Sequence, residues 1–204
     1  MDQRWVVMTM LRWRQMDGWS EAAPGRKLTY DDFVQFPDDG LRHELIDGEH
    51  YVTPAPSTRH QRIQGRLQGE LYAYFKSRRG GEVFSARFDV VLSDHDVVEP
   101  DVVVILADQA GVLTPQHARG APAIVIEILS PGTRRHDRTR KRALYEHAGV
   151  REYWIIDPDE DVVVVQRFGA SSGDRVTLNR GAGQFLTSPL LAGWQFAVDE
   201  LLAR

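Results

Sequence analysis

An aspartate, a glutamate and a lysine in this chain fall where divalent-metal chemistry would need them. Asp101 opens the run Val102-Val103-Val104-Ile105, and Glu127 sits near the end of Ala123-Ile124-Val125-Ile126. Short apolar runs rich in β-branched residues read as fully buried strands. A carboxylate inside such a strand is strongly penalised unless it is paired. Two of them on adjacent strands repel unless something positive lies between, and a divalent cation is the simplest answer. Oxygen donors suit Mg²⁺, with Mn²⁺ as a substitute. The backbone carbonyl of Ile128 offers a further ligand. Such an ion polarises a phosphoryl group and lowers the pKa of an attacking water, which is the chemistry of phosphodiester hydrolysis. Lys141 would add a point positive charge for the water or the phosphate. On this reading, removing Asp101 or Glu127 leaves the metal-free fold intact, because it relieves a repulsion.

The surrounding charge pattern points the same way. The formal net charge is −4, so the molecule as a whole is not a basic nucleic-acid binder. Yet Arg134, Arg135, Arg138, Arg140, Lys141 and Arg142 crowd into a stretch of nine residues. An isolated run of this kind is usually a solvated helix face, but this one begins shortly after Glu127 and reads as a phosphate-facing patch. Asp137, Lys141 and Tyr145 recur every four residues, which puts them on one helix face. Asp137 could then orient Lys141, although an ordinary helix ion pair, worth about 0.3–0.5 kcal/mol, has the same spacing.

The length of 204 residues suits one domain with a proper core, and no apolar stretch is long enough to span a membrane. The chain has no cysteine, which excludes disulfides, zinc-thiolate sites and a thiol nucleophile and fits a cytoplasmic protein. Residues 1–27 imitate a signal sequence only loosely. They read as a flexible extension, or as upstream sequence of a misassigned start, followed by one domain over 28–204.

The elements that must position the carboxylates follow from local signals. Thr29-Tyr30-Asp31-Asp32 matches a capping box, so a short helix covers Tyr30 to Phe36. Asp47-Gly48 predicts a hairpin between Arg42–Ile46 and Glu49–Thr53. Ser57 caps a long helix from Thr58 to about Arg78, stopped by Gly80-Gly81. Strands are expected over Glu82–Leu92, Val97–Leu106 and Ala123–Leu129, with a loop or short helix over Ala107–Pro122. A helix over Thr133–His147 ends at Gly149. A hairpin joins Tyr153–Ile156 to Val162–Gln166, a weak strand lies near Val176-Thr177-Leu178, and a terminal helix covers about Val198 to Leu202. The expected architecture is a mixed α/β sheet flanked by helices.

Several of these residues, in order, resemble a known family. Pro100-Asp101, Glu127-Ile-Leu-Ser-Pro131, Asp137-x3-Lys141-x3-Tyr145 and Gly149-Val-x2-Tyr153-Trp154-Ile-Ile-Asp157-Pro158 are similar to the Uma-two family of restriction endonucleases, within the PD-(D/E)XK nuclease superfamily. His43-Glu44-Leu45-Ile46-Asp47-Gly48-Glu49 and His60 share the resemblance, which covers roughly residues 29 to 200. It implies a restriction-endonuclease-like mixed sheet with an added N-terminal hairpin and C-terminal strands, Mg²⁺ dependence, DNA as substrate and a homodimer. It also brings in Glu44 as a third carboxylate and His60 as a contact to phosphate or to a bound water. The superfamily pattern expects Lys two residues after the Glu, where this chain has Leu129. Lys141, arriving from the following helix, is the natural replacement.

Rival chemistries find less support. His43-Glu44 lacks the second His four positions on that a zincin needs, and Ser130 precedes Pro131 with no Gly-x-Ser-x-Gly elbow. The serious alternative is a non-catalytic nucleic-acid or protein-binding module on a nuclease fold. Glu44 could equally be a solvated hairpin residue, Tyr145 and Tyr153 read as packing residues, and Tyr153-Trp154 could line a dimer contact.

Overall fold

The computed structural model describes residues 26–53, 55–130, 137–169 and 174–204, with the backbone alone at 137 and 138. Most of the expected N-terminal extension, residues 1–25, lies outside them. Helix α1 spans Tyr30–Phe33, shorter than expected, with Thr29 and Asp32 forming the capping box. Strands β1 (Arg42–Ile46) and β2 (Glu49–Thr53) make the expected hairpin. Asp47 and Gly48 both take positive φ, 54° and 72°, as the tight turn requires. Helix α2 runs over Thr58–Arg78 and buries Ile63, Leu67, Leu71 and Phe75. Ser57 accepts a hydrogen bond from the His60 amide at its start. At its end the left-handed residue is Arg79, one position before the expected glycine pair.

The next stretch departs from expectation. The supposed strand over 82–92 is two strands, β3 (Gly81–Ser85) and β4 (Val90–Ser93), and that over 97–106 is β5 (Asp96–Val98) and β6 (Val102–Leu106). The members of each pair belong to different sheets. The chain crosses from one sheet to the other at 86–89 and back at 99–101, where Pro100 interrupts the second run. Proline has no N–H for a ladder, so an interior strand breaks there. The two crossings are tied by the Ala86 amide donating to the Asp101 carbonyl at 3.2 Å.

Residues Ala107–Val112 form a 3₁₀ helix, followed by a two-residue strand, β7 (Ala118–Arg119). The central strand β8 spans Ile124–Ile128. A π-helical turn over Asp137–Lys141 leads into helix α3 (Arg142–Ala148), and Gly149 closes it at φ 92°. Strands β9 (Glu152–Asp157), β10 (Val162–Arg167) and β11 (Arg175–Asn179) follow as expected. A small ladder of β12 (Phe185–Thr187) with β13 (Gln195–Ala197), not read from the sequence, precedes helix α4 (Val198–Leu201).

One sheet has the order β2-β1-β5-β4-β7 and the other β11-β10-β9-β8-β6-β3. Both mix parallel and antiparallel pairs: β4 with β7 and β8 with β9 are parallel. Between the sheets, Ile46, Val90 and Val98 pack with Val103, Ile105, Val125, Tyr153 and Ile155. On the far side of the six-stranded sheet, α2 and the C-terminal segment pack over Val102, Val104, Ile124, Ile126 and Trp154. Leu28 and the aromatic side chains of and around α1 cover the outer face of the five-stranded sheet. The result is a layered α/β fold. Among the described residues no helix is long and apolar enough to cross a membrane.

Candidate active site

The site forms where the second crossing delivers the chain into β6. Strands β6 and β8 pair antiparallel, with Val104 opposite Ile124 and Val102 opposite Ile126. One step beyond that ladder, the same register sets Asp101 opposite Glu127. Residues so placed have Cβ atoms about 4.5–5.5 Å apart. Asp101 is also tied to the end of β8, because its Oδ2 accepts a hydrogen bond from the Ile128 amide at 2.7 Å.

The third carboxylate comes from the other sheet. On β1, Arg42, Glu44 and Ile46 alternate with His43 and Leu45, so the first three face the space between the sheets. Glu44 is buried, not solvated, and its Oε1 accepts from the Glu99 amide at 2.8 Å. From α3 and the turn before it come Lys141 and Tyr145. The Lys141 ammonium donates to Glu44 Oε1 and to Glu127 Oε1, each at 2.9 Å. The Tyr145 hydroxyl donates to Glu127 Oε1 at 2.8 Å. Leu129, at the position where the superfamily pattern has Lys, packs into the core between the sheets.

Around Asp101 the partners come from β1 and α2. Arg42 Nη1 donates to Asp101 Oδ1 at 2.8 Å, and Arg42 Nε lies 3.5 Å from Glu99 Oε1. The same guanidinium also donates to the Glu99 carbonyl. His60 Nε2 is 3.1 Å from Asp101 Oδ2, and Gln64 donates to the Asp101 carbonyl at 2.9 Å. A carboxylate partner sets the ring proton of a neutral His60 on Nε2. Glu44, Glu99, Asp101, Glu127 and Lys141 are each less than 5 % exposed.

The electrostatics reflect this crowding. Burial alone would weaken the Arg42 charge, but Asp101, Glu44, Glu127 and Glu99 together hold its pKa above the ordinary value. Burial pushes Asp101 up, yet the His60 hydrogen bond, the Arg42 charge and the Ile128 amide together bring it below the usual carboxylate range. Glu99 is pushed up to about 7 by burial, against the pull of Arg42. Burial, followed by the neighbouring Glu127 charge, holds the Tyr145 phenol well above its ordinary value, so it remains a donor.

Two sequence expectations change here. Asp101 and Glu127 are not a bare repelling pair, because Arg42 and Lys141 compensate them. Removing either carboxylate therefore takes one partner from a cation set among several acidic groups, with Arg42 keeping Glu99 and Lys141 keeping Glu44, instead of only relieving a repulsion. Tyr153 and Trp154 do not line a surface. Both are fully buried within the single chain, Tyr153 against Tyr145 and Trp154 stacked on Trp194.

Two carboxylates opposed across adjacent strands, with the Ile128 carbonyl at the end of β8, form an all-oxygen set of the kind Mg²⁺ accepts. Among the described residues no three His, Asp or Glu side chains converge as a ready-made cage. Both Asp101 oxygens already accept hydrogen bonds, so an ion there would compete with Arg42 or His60.

The basic stretch is described only in part. Arg134 and Arg135 lie outside the described residues, as do the side chains of Asp137 and Arg138. Arg140 is exposed and pairs with Glu49 at 2.7 Å across a solvated surface. Arg142 pairs with Glu146 at 3.4 Å and lies over Phe168. Sequence reasoning missed Arg42, Glu99 and Gln64, and it took Tyr145 for packing. The Arg42-x-Glu44 alternation on a strand was the available signal, since it aims both charges at one face.

Comparison with known proteins places the chain in a family. Residues 30–199 match the model of the Uma2 family, described as "Putative restriction endonuclease". The uncharacterized protein slr1290 of Synechocystis sp. (strain ATCC 27184 / PCC 6803 / Kazusa) is 27 % identical over 184 residues, 88 % of this chain and 94 % of that protein. A crystal structure from Anabaena variabilis ATCC 29413, described as a "putative nuclease belonging to DUF820", superposes with a TM-score of 0.73. It shares 23 % identity and covers 86 % of this chain and 97 % of its own. That likeness establishes the fold, and the family description supports a nuclease-like function. The chain belongs to the Uma2 family.

Proposed function

We propose that the protein is a Mg²⁺-dependent DNA endonuclease that hydrolyses phosphodiester bonds. The observation that carries the reading is the Lys141 ammonium 2.9 Å from Glu127, beside Asp101, whose carboxylate accepts from the Ile128 amide next to Glu127 at 2.7 Å. Asp101, Glu127 and the Ile128 carbonyl would hold the ion, and Mn²⁺ would substitute. When bound, the ion would supply polarisation of the phosphoryl group and a lowered pKa for the attacking water. Lys141 orients Glu127 and adds positive charge beside the attacking water. Glu44 anchors Lys141 from the opposite sheet, and Tyr145 fixes the Glu127 carboxylate. His60 holds Asp101 from α2 and would contact a phosphate or a bound water of the substrate complex. Arg134, Arg135, Arg138, Arg140 and Arg142 would contact the DNA backbone, and the active form would be a homodimer.

The test is nicking of supercoiled plasmid in Mg²⁺ or Mn²⁺, with the chelated reaction and Lys141→Met as controls. Nicking by wild type alone, abolished by chelation, is the expected result. A second reading, a binding module on a nuclease fold, draws on the engagement of both Asp101 oxygens by the protein itself. It predicts a DNA mobility shift, steeply weakened by salt, with no cleavage of duplex or single-stranded DNA in either metal.

A further inference from the structure

A groove of about 330 Å³ opens beside Asp101, between α2 and the first chain crossing. One wall is the α2 stripe Gln61, Gln64, Gly65 and Gln68, which share a face at helical spacing. The opposite side carries Arg42 and Arg87. Two of these residues belong to the candidate site already: Arg42 binds the Asp101 carboxylate and Gln64 its carbonyl. The groove thus adjoins the two side chains that hold Asp101.

Its lining is suited to one kind of occupant. Side-chain amides offer a donor and an acceptor together, which matches the edge of a base, and Gln pairs bidentately with adenine. Guanidinium groups match phosphate oxygens. Arg87 is half exposed and only loosely held, by the Leu41 carbonyl at 2.9 Å and Asp38 at 3.4 Å. Gly65 keeps the middle of the wall open, since a Cβ there would meet nothing within 4 Å. Glycine is a poor helix former in such an interior position, so helix stability does not explain it.

We propose that this groove holds the nucleic-acid strand flanking the scissile phosphate, with Gln61 and Gln68 on its bases and Arg87 on its phosphates. The proposal rests on the nuclease reading and makes these residues determinants of affinity and base preference.

Fluorescence anisotropy of labelled DNA duplexes of differing A·T content, in chelator so that nothing is cut, tests it. Gly65→Leu fills open space on a helix, so it should melt no lower than wild type while binding DNA about tenfold more weakly. Gln61→Ala with Gln68→Ala should flatten the preference among sequences. Arg87→Gln should weaken all sequences alike and reduce the salt slope by about one. Mn²⁺ binding, measured by calorimetry, should be unchanged in all three. If wild type binds and nicks DNA but these variants bind it as wild type does, the groove lies off the path of the nucleic acid and the nuclease reading stands. If wild type binds no DNA, both fall together.

Discussion

The Lys141 ammonium stands 2.9 Å from Glu127 on one sheet and 2.9 Å from Glu44 on the other. A single buried cation thus joins the two layers at the candidate site. Lys141→Met would leave both carboxylates buried without it, at a cost of about 3–5 kcal/mol. Urea denaturation measures this. Mn²⁺ should recover part of the loss, because an ion that binds only the folded state stabilises it by mass action. A Lys141→Met protein as stable as wild type would mean that the ammonium does not hold the sheets together here.

Asp101 and Arg42 form the matching pair. Asp101→Ala removes one carboxylate partner from the part-buried Arg42, which keeps Glu99 at 3.5 Å, and should cost about 1–3 kcal/mol, contrary to what the sequence leads one to expect. Asp101→Leu combined with Arg42→Met should be less destabilising than the sum of the two single changes. A double-mutant cycle in denaturant reads the coupling. Strict additivity would deny that the two side chains interact.

The sequence made the hairpin, α2 and β8 legible because each carries a local signal: Asp47-Gly48, the Ser57 cap, and an unbroken β-branched run. It did not show that 82–92 and 97–106 each divide between two sheets. Alternation along a strand says which face is buried but not which sheet a residue joins. Asp101, Glu127 and Lys141 were readable from residue type and spacing. Arg42 was not, because its partner Asp101 lies 59 residues away and only the crossing at Pro100 brings them together. Glu44 was ambiguous for a related reason: nothing local tells a hairpin residue that a second sheet covers it.

Tyr145 is placed to tune Glu127, not to react. Tyr145→Phe removes one donor to a buried carboxylate and should cost about 1–3 kcal/mol while Lys141 remains in place. Nicking should fall without vanishing, and Mn²⁺ affinity should change modestly. Complete loss of nicking in a fully folded Tyr145→Phe would give the phenol a direct part in the reaction.

Glu99 sets a pH dependence whose sign is fixed by its raised pKa. Between its ordinary value of 4.5 and about 7 the folded state holds a proton that the unfolded state has lost. Its contribution therefore makes stability fall as pH rises through that window. His50 works oppositely: burial and His43 hold it down to about 4, so its contribution is lost as pH falls below 6.5. The Glu99 part is read as the difference in melting temperature between wild type and Glu99→Gln from pH 4.5 to 8. The difference should shift in favour of Glu99→Gln as pH rises, and a difference independent of pH would contradict the assignment.

The most direct test is calorimetric titration of wild type and Glu127→Ala with Mn²⁺, followed by plasmid nicking in the same buffer. Stoichiometric binding by wild type, lost in the variant, together with nicking by wild type alone, is the predicted result. Equal Mn²⁺ binding by the two proteins, or no binding by wild type, would contradict the assignment of Asp101 and Glu127 as a metal-holding pair.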